Sequence, residues 1–228
     1  MAQTNKTYAE LSRRLTYAFR QPKLLERALT HRSKSTANYE RLEFLGDSIL
    51  GFAISSELYN RYSELSEGEL TRLRASLVKK NTLAALARDL ELGEHLMLGE
   101  GELKSGGYDR DSILADALEA VFGAICVDRS AEEAVRVILH LYHDRLADLD
   151  PRAIPKDPKT QLQEYLQKHS LPTPTYTISA VTGEPHNQIF VVECRVAGLD
   201  EPIRGEGHSR RHAEQEAAAQ ALEQLCRP

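Results

Sequence analysis

Apolar residues recur every three to four positions through most of the first 150 residues. Leu42, Leu45, Ile49 and Phe52 form one set, Leu70, Leu73 and Leu77 a second, and Leu114, Leu118, Val121 and Ile125 a third. This spacing matches the α-helical repeat of about 3.6 residues. β-branched residues are sparse in this region, and no alternating apolar–polar run stands out. Ser130 and Glu133, after the turn-like Asp128-Arg129, read as the two partners of a capping box. The pattern predicts an all-α bundle.

The pattern breaks at Pro151, Pro155 and Pro158, which lie among charged residues and cannot continue a helix. Beyond them, 158–167 predicts a short helix opened by proline. Thr175–Val181, Ile189–Val196 and Pro202–Gly207 predict strands, with a turn over Gly183–Asn187. Ala213, Ala217, Ala221, Leu222 and Leu225 return to helical spacing. The order α-β-β-β-α predicts a two-layer α+β domain with both helices on one face of the sheet. The expected boundaries are 1–148 for the helical domain, 149–157 for a linker and 158–228 for the α+β domain.

Composition narrows the class. The chain has 228 residues, 41% of them hydrophobic but only 6% aromatic, with no Trp, so its core is aliphatic. No apolar run approaches the roughly 20 residues that cross a bilayer. The first six residues are polar and lack the apolar stretch of a secretion signal, so a cytoplasmic protein that does not enter membranes is expected. Cys126, Cys194 and Cys226 are far apart and odd in number, so free buried thiols are expected rather than disulfides or zinc. The formal net charge is −5, and the acidity is concentrated before the prolines: 24 acidic against 20 basic residues in 1–150, and 10 against 9 afterwards. Any binding of nucleic acid must therefore come from local basic groups.

Two acidic sets stand out. Glu40, Glu43 and Asp47 fall at i, i+3 and i+7, on one stripe of a helix beside its apolar face. Asp116 and Glu119 are also i, i+3, and they interrupt a helix that is apolar nearly all round and therefore buried. A single such pair is ordinarily a solvated face. Two sets on two apolar helices, one containing Gly46 for close backbone approach, point instead to converging carboxylates, which suit Mg²⁺ or Mn²⁺. A di-iron bundle is disfavoured because the chain has no Glu-x-x-His motif, and a serine hydrolase because it has no G-x-S-x-G. Glu67 reads equally as an acid suited to a helix N-terminus, and His31, in Thr30-His31-Arg32-Ser33, as a structural histidine.

These residues carry a resemblance. Glu40-Arg41-Leu42-Glu43-Phe44-Leu45-Gly46-Asp47-Ser48 resembles the signature of bacterial ribonuclease III, the double-stranded-RNA endonuclease. Thr30–Ser33, Gly99–Glu102, Lys104–Gly107 and Leu114–Ala120 match that family's pattern in order. The resemblance implies that Glu43, Asp47, Asp116 and Glu119 bind metal, that Asp47 and Glu119 are catalytic, and that Glu40 and Glu67 are further acids of the cleavage groove. It implies Phe44 at the interface of a homodimer in which each subunit cuts one strand. It also implies Mg²⁺, with Mn²⁺ as a substitute, and products with 5′-phosphate and 3′-hydroxyl ends. Ribosomal RNA precursors and other structured transcripts are the implied substrates. One-metal and two-metal schemes both stay open.

The C-terminal part resembles the double-stranded-RNA-binding domain. Gln163 and Gln167, at i, i+4, suit ribose hydroxyls across a minor groove. His186 and Asn187 lie in the turn between the first two strands, and Ser209, Arg210 and Arg211 open the last helix as a phosphate site. The rival reading is a non-catalytic double-stranded-RNA binder, against which the phosphate-repelling acids Glu43, Asp47, Asp116 and Glu119 argue.

Overall fold

The structure is a computed structural model that describes residues 2–151, 157–184 and 188–226. The chain divides into two compact units, Met1–Ile154 and Pro155–Pro228. The first carries α1 (Ala2–Arg14), α2 (Pro22–Ala28), α3 (Glu40–Arg61), α4 (Glu67–Val78), α5 (Lys80–Asp89), α6 (Glu100–Lys104), α7 (Asp111–Asp128), α8 (Ala131–Leu141) and α9 (His143–Ala147), with two short 3-10 turns. The second carries α10 (Pro158–Lys168), β1 (Thr175–Thr182), β2 (Ile189–Arg195), β3 (Ile203–Gly207) and α11 (Arg210–Leu225).

In the first unit α7 is the central element. Its apolar residues leave no solvated stripe: Ile113, Leu114, Leu118, Val121, Phe122 and Ile125 are all buried. Burying each large side chain contributes about 1.5–3 kcal/mol, so α7 is the main anchor of the unit. α3 lies directly against it because both helices have a glycine at the crossing. A Cβ added at Gly46 would run into the backbone carbonyl of Glu119, and one added at Gly123 into that of Leu42.

Polar contacts fix the ends. Asp128, buried at the C-terminus of α7, accepts hydrogen bonds from Tyr17 Oη (2.6 Å) and the backbone N–H groups of Arg20 (2.8 Å) and Gln21 (2.9 Å). Burial alone would raise its pKa, but these donors hold it below the ordinary carboxylate range. Ser66 and Glu69 form a full capping box on α4. Ser130 caps α8 through the Glu133 N–H, while the Glu133 carboxylate turns to Arg136.

The second unit is an antiparallel sheet in the order β1-β2-β3. α10 and α11 cover it through Leu162, Leu166, Ala217, Ala218 and Ala221, together with Cys194 and Ile203 of the strands. β1 slips register between Ile178 and Ala180, a bulge that the strand pattern does not reveal.

Two expectations are corrected. Cys226 is exposed and Cys126 only partly buried, leaving Cys194 as the buried thiol, because Cys226 lies just past the last turn of α11. Phe52 shares the apolar spacing of α3 yet is 65% exposed, as are Phe44 (79%) and Tyr59 (73%), because the helix turns a second apolar stripe outward. None of the described helices is long and apolar enough to cross a membrane.

Because the α3–α7 crossing has no room for a methyl group, Gly46→Ala is expected to be severely destabilising, by about 3 kcal/mol or more. Thermal unfolding monitored by circular dichroism measures this, and a melting temperature within 2 °C of the parent would contradict the close crossing.

Candidate active site and nucleic-acid face

The α3–α7 crossing lies at the floor of a cleft of about 570 Å³. The first turns of α3 supply Glu40, Glu43 and Asp47, and α7 supplies Asp116 and Glu119. Glu43, Asp116 and Glu119 each place one carboxylate oxygen within 4.8 Å of the others. Asp47 lines the same cleft but lies outside this three-oxygen group and is more exposed.

The inner and outer acids differ in their compensation. Glu40 lies 3.8 Å from Arg32, and Glu102 lies 2.6 Å from Arg110. Among the described residues no cation lies within ion-pair distance of Glu43, Asp116 or Glu119. Burial raises the pKa of all three; for Glu43, Asp116 and Glu40 add to it, and for Asp116, Lys80, His31 and Arg32 oppose it. Glu119 is pushed up to about 8, first by burial and then by the charges of Asp47, Asp116 and Glu43. Carboxylates that are close, partly desolvated and short of positive charge form a site suited to a hard divalent cation.

The Thr30–Ser33 loop builds one wall. His31 Nδ1 accepts from the Ser33 backbone N–H at 3.1 Å and contacts Ser33 Oγ at 2.7 Å. Ser33 Oγ in turn accepts from the Gly99 N–H at 2.9 Å. Since a backbone N–H can only donate, Nδ1 is the acceptor and the ring proton sits on Nε2. Tyr39, buried beside this loop, has a raised pKa through burial and then Asp116 and Glu43.

Sequence reasoning did not find Arg32, Tyr39, Glu102 and Arg110 in the cleft. Arg110 is the N-cap of α7 itself, while Arg32, Tyr39 and Glu102 precede the acid helices in loops or short segments without a periodic signal. Arg32 and Glu102 fall in the blocks Thr30–Ser33 and Gly99–Glu102, which the sequence matched only to the family pattern.

Glu67 stands apart from the cleft. It is the first residue of α4, accepts from Thr71 Oγ1 at 2.9 Å, and lines a separate hollow of about 650 Å³ with Phe52, Tyr59 and Leu70. Phe44 lies at the edge of the acidic cleft.

In the second unit Gln163 and Gln167 are exposed on α10. Ser209 is the N-cap of α11 and accepts from the His212 N–H at 3.2 Å. The Arg211 side chain is 83% exposed, whereas Arg210 is tethered through Nε to Glu214 at 2.8 Å. His186 and Asn187 lie outside the described residues.

Comparison with known proteins agrees with both units. Residues 21–146 match a family model described as ribonuclease-III-like, and residues 158–225 one described as a double-stranded RNA binding motif. The chain is 55% identical over 216 residues to Ribonuclease 3 of Vibrio cholerae, covering 95% of this chain and 96% of that protein. It is 56% identical over 215 residues to Ribonuclease 3 of Photorhabdus laumondii, covering 94% and 95%. A solved nuclease domain of ribonuclease III from Campylobacter jejuni, described for flexibility in a region involved in dimer formation, superimposes with a TM-score of 0.59 at 39% identity, covering 60% of this chain and 97% of that one.

The raised pKa of Glu119 has a signed consequence. An unfolded Glu ionises near 4.5 and the folded Glu119 near 8, so between these values the folded state binds more protons and stability falls as pH rises. Glu119→Gln is therefore expected to melt higher than the parent at pH 8 in EDTA and to match it near pH 4.5. Equal melting curves at pH 8 would contradict the strained carboxylate.

Proposed function

Because the chain belongs to the ribonuclease III family, we propose that it is a divalent-metal-dependent endonuclease that cuts double-stranded RNA to leave 5′-phosphate and 3′-hydroxyl ends. The observation that carries this reading is the convergence of Glu43, Asp116 and Glu119 with no cation within ion-pair distance of them among the described residues. Their hard oxygens fit Mg²⁺, with Mn²⁺ as an alternative, and Asp47 completes the proposed ligand set. A bound ion of this kind supplies Lewis-acid activation of water and neutralises charge on the phosphate. The chain's own residues hold the cleft open and charged, while Arg32 and Arg110 keep Glu40 and Glu102 paired at its rim.

RNA is held by the second unit. Gln163 and Gln167 suit ribose hydroxyls, and Ser209, Arg210 and Arg211 suit phosphates, with His186 and Asn187 proposed as a third contact. Shape and backbone contacts of this kind recognise A-form helices with little dependence on base sequence. Ribosomal RNA precursors and other structured transcripts are the proposed natural substrates, and the cytoplasm is the proposed location. The proposed domain limits are 1–148 and 158–228, joined by 149–157.

The reading includes a homodimer. The outward stripe of Phe44, Phe52 and Tyr59 is an exposed apolar face of the kind that marks a protein–protein interface. In the proposed dimer a second copy sits on this face with the two-fold axis across α3, which runs α3 against α3 in opposite directions and turns Phe44 of one copy toward the hollow of the other. That hollow holds Glu67, which accounts for an acid that stands apart from the cleft of its own chain.

Incubation with long double-stranded RNA is expected to give discrete fragments with Mg²⁺ and none with EDTA. Asp47→Ala is expected to lower cutting at least 100-fold while leaving binding within twofold, and equal loss of both would overturn its proposed role. Phe44→Ala is expected to shift the mass measured by light scattering toward that of one chain, and an unchanged mass would exclude the proposed interface.

A further inference from the structure

The second unit holds a buried carboxylate that the reading above does not use. Glu214 lies in the second turn of α11, and its side chain is only 11% exposed. Its Oε2 accepts from Lys159 Nζ at 2.5 Å and its Oε1 from Arg210 Nε at 2.8 Å. Lys159 Nζ also stands 4.4 Å from the centre of the Tyr176 ring, a second attraction that fixes it. Burial alone would raise the pKa of Glu214, but the hydrogen bonds from Lys159 and Arg210 outweigh it and hold the carboxyl below its ordinary range.

The placement of Lys159 gives this bridge a direction. Lys159, Gln163 and Gln167 fall at i, i+4 and i+8 of α10, on one stripe. Glu214 therefore connects the first turn of that stripe to the first turn of α11. We propose that Glu214 is a positioning residue for RNA recognition, and that the Lys159 it holds is a further phosphate contact joining Gln163 and Gln167 to Arg210 and Arg211. The proposal rests on the reading of this unit as a double-stranded-RNA binder.

Two effects of the carboxylate oppose one another. Its charge repels phosphate, and a phosphate held by Lys159 or Arg210 lies inside the screening length of about 8–10 Å, so salt does not remove that repulsion. Against this, a lysine and an arginine lose much rotamer freedom when they grip RNA, and Glu214 has already ordered both. Both cations keep surface for a ligand, with side chains 34% and 63% exposed, and Arg210 engages Glu214 through Nε rather than its terminal nitrogens. Lys159, Arg210 and Arg211 also outnumber Glu214 and Asp157, so the cluster stays net positive. Ordering therefore outweighs repulsion.

The test is fluorescence anisotropy of the full chain on a labelled RNA duplex in EDTA, over a series of salt concentrations. Glu214→Gln is expected to weaken binding about tenfold and to lower the log–log salt slope by about one or more. Lys159→Ala alone is expected to lower that slope by about one. In a Lys159→Ala/Arg210→Ala background, Glu214→Gln is expected to cause no further loss, since it acts through those two side chains. Tighter binding by Glu214→Gln, a loss that persists in that background, or an unchanged slope for Lys159→Ala would overturn the proposal. Should Glu214→Gln lower the melting temperature, the Lys159→Ala slope decides. Arg210→Ala with Arg211→Ala is the control: if it leaves binding unchanged, the assignment of this face to RNA fails, not merely the role of Glu214.

Discussion

The first unit depends on the contact of two helix backbones where side chains are missing. Gly46 and Gly123 let α3 and α7 meet at the distance of main-chain atoms. Carboxylates a turn away on either helix are then forced into one cleft, although each would be better hydrated alone. What holds them there is the apolar surface of α7, buried along most of its length. The site is thus strained locally and stabilised remotely, with the raised pKa of Glu119 as its signature.

Much of this was legible beforehand, because a helical period converts spacing directly into a face. The i, i+3, i+7 acids, the apolar envelope around Asp116 and Glu119, and the α-β-β-β-α order all follow from local pattern. Spacing does not say what a face meets. Phe52 keeps the apolar rhythm of α3 but lies on an outward stripe, and Glu67 sits among acids yet opens onto another hollow. Arg32 reaches the cleft from a loop and Arg110 from the N-cap of α7, and neither position has a periodic signature. The bulge in β1 is likewise a property of the strand pair rather than of either strand.

The two units handle charge in opposite ways. In the cleft, acids gather with too few cations, which leaves them in need of positive charge. Between α10 and α11, the buried Glu214 is paired with Lys159 and Arg210, whose side chains remain 34% and 63% exposed. A chain with net charge −5 can therefore hold both an acidic pocket short of cations and a net positive cluster, since each depends on arrangement within a few ångströms rather than on totals.

Asp128 sets a limit on how the first unit can be dissected. Its three donors come from Tyr17, Arg20 and Gln21, upstream of or at the very start of the segment 21–146 that matches the nuclease family. A fragment cut at that point would keep the buried carboxylate while deleting two of its three donors, loosening the end of the helix whose first half carries Asp116 and Glu119. Tyr17 and Arg20 are thus structurally part of this unit although they precede the matched segment.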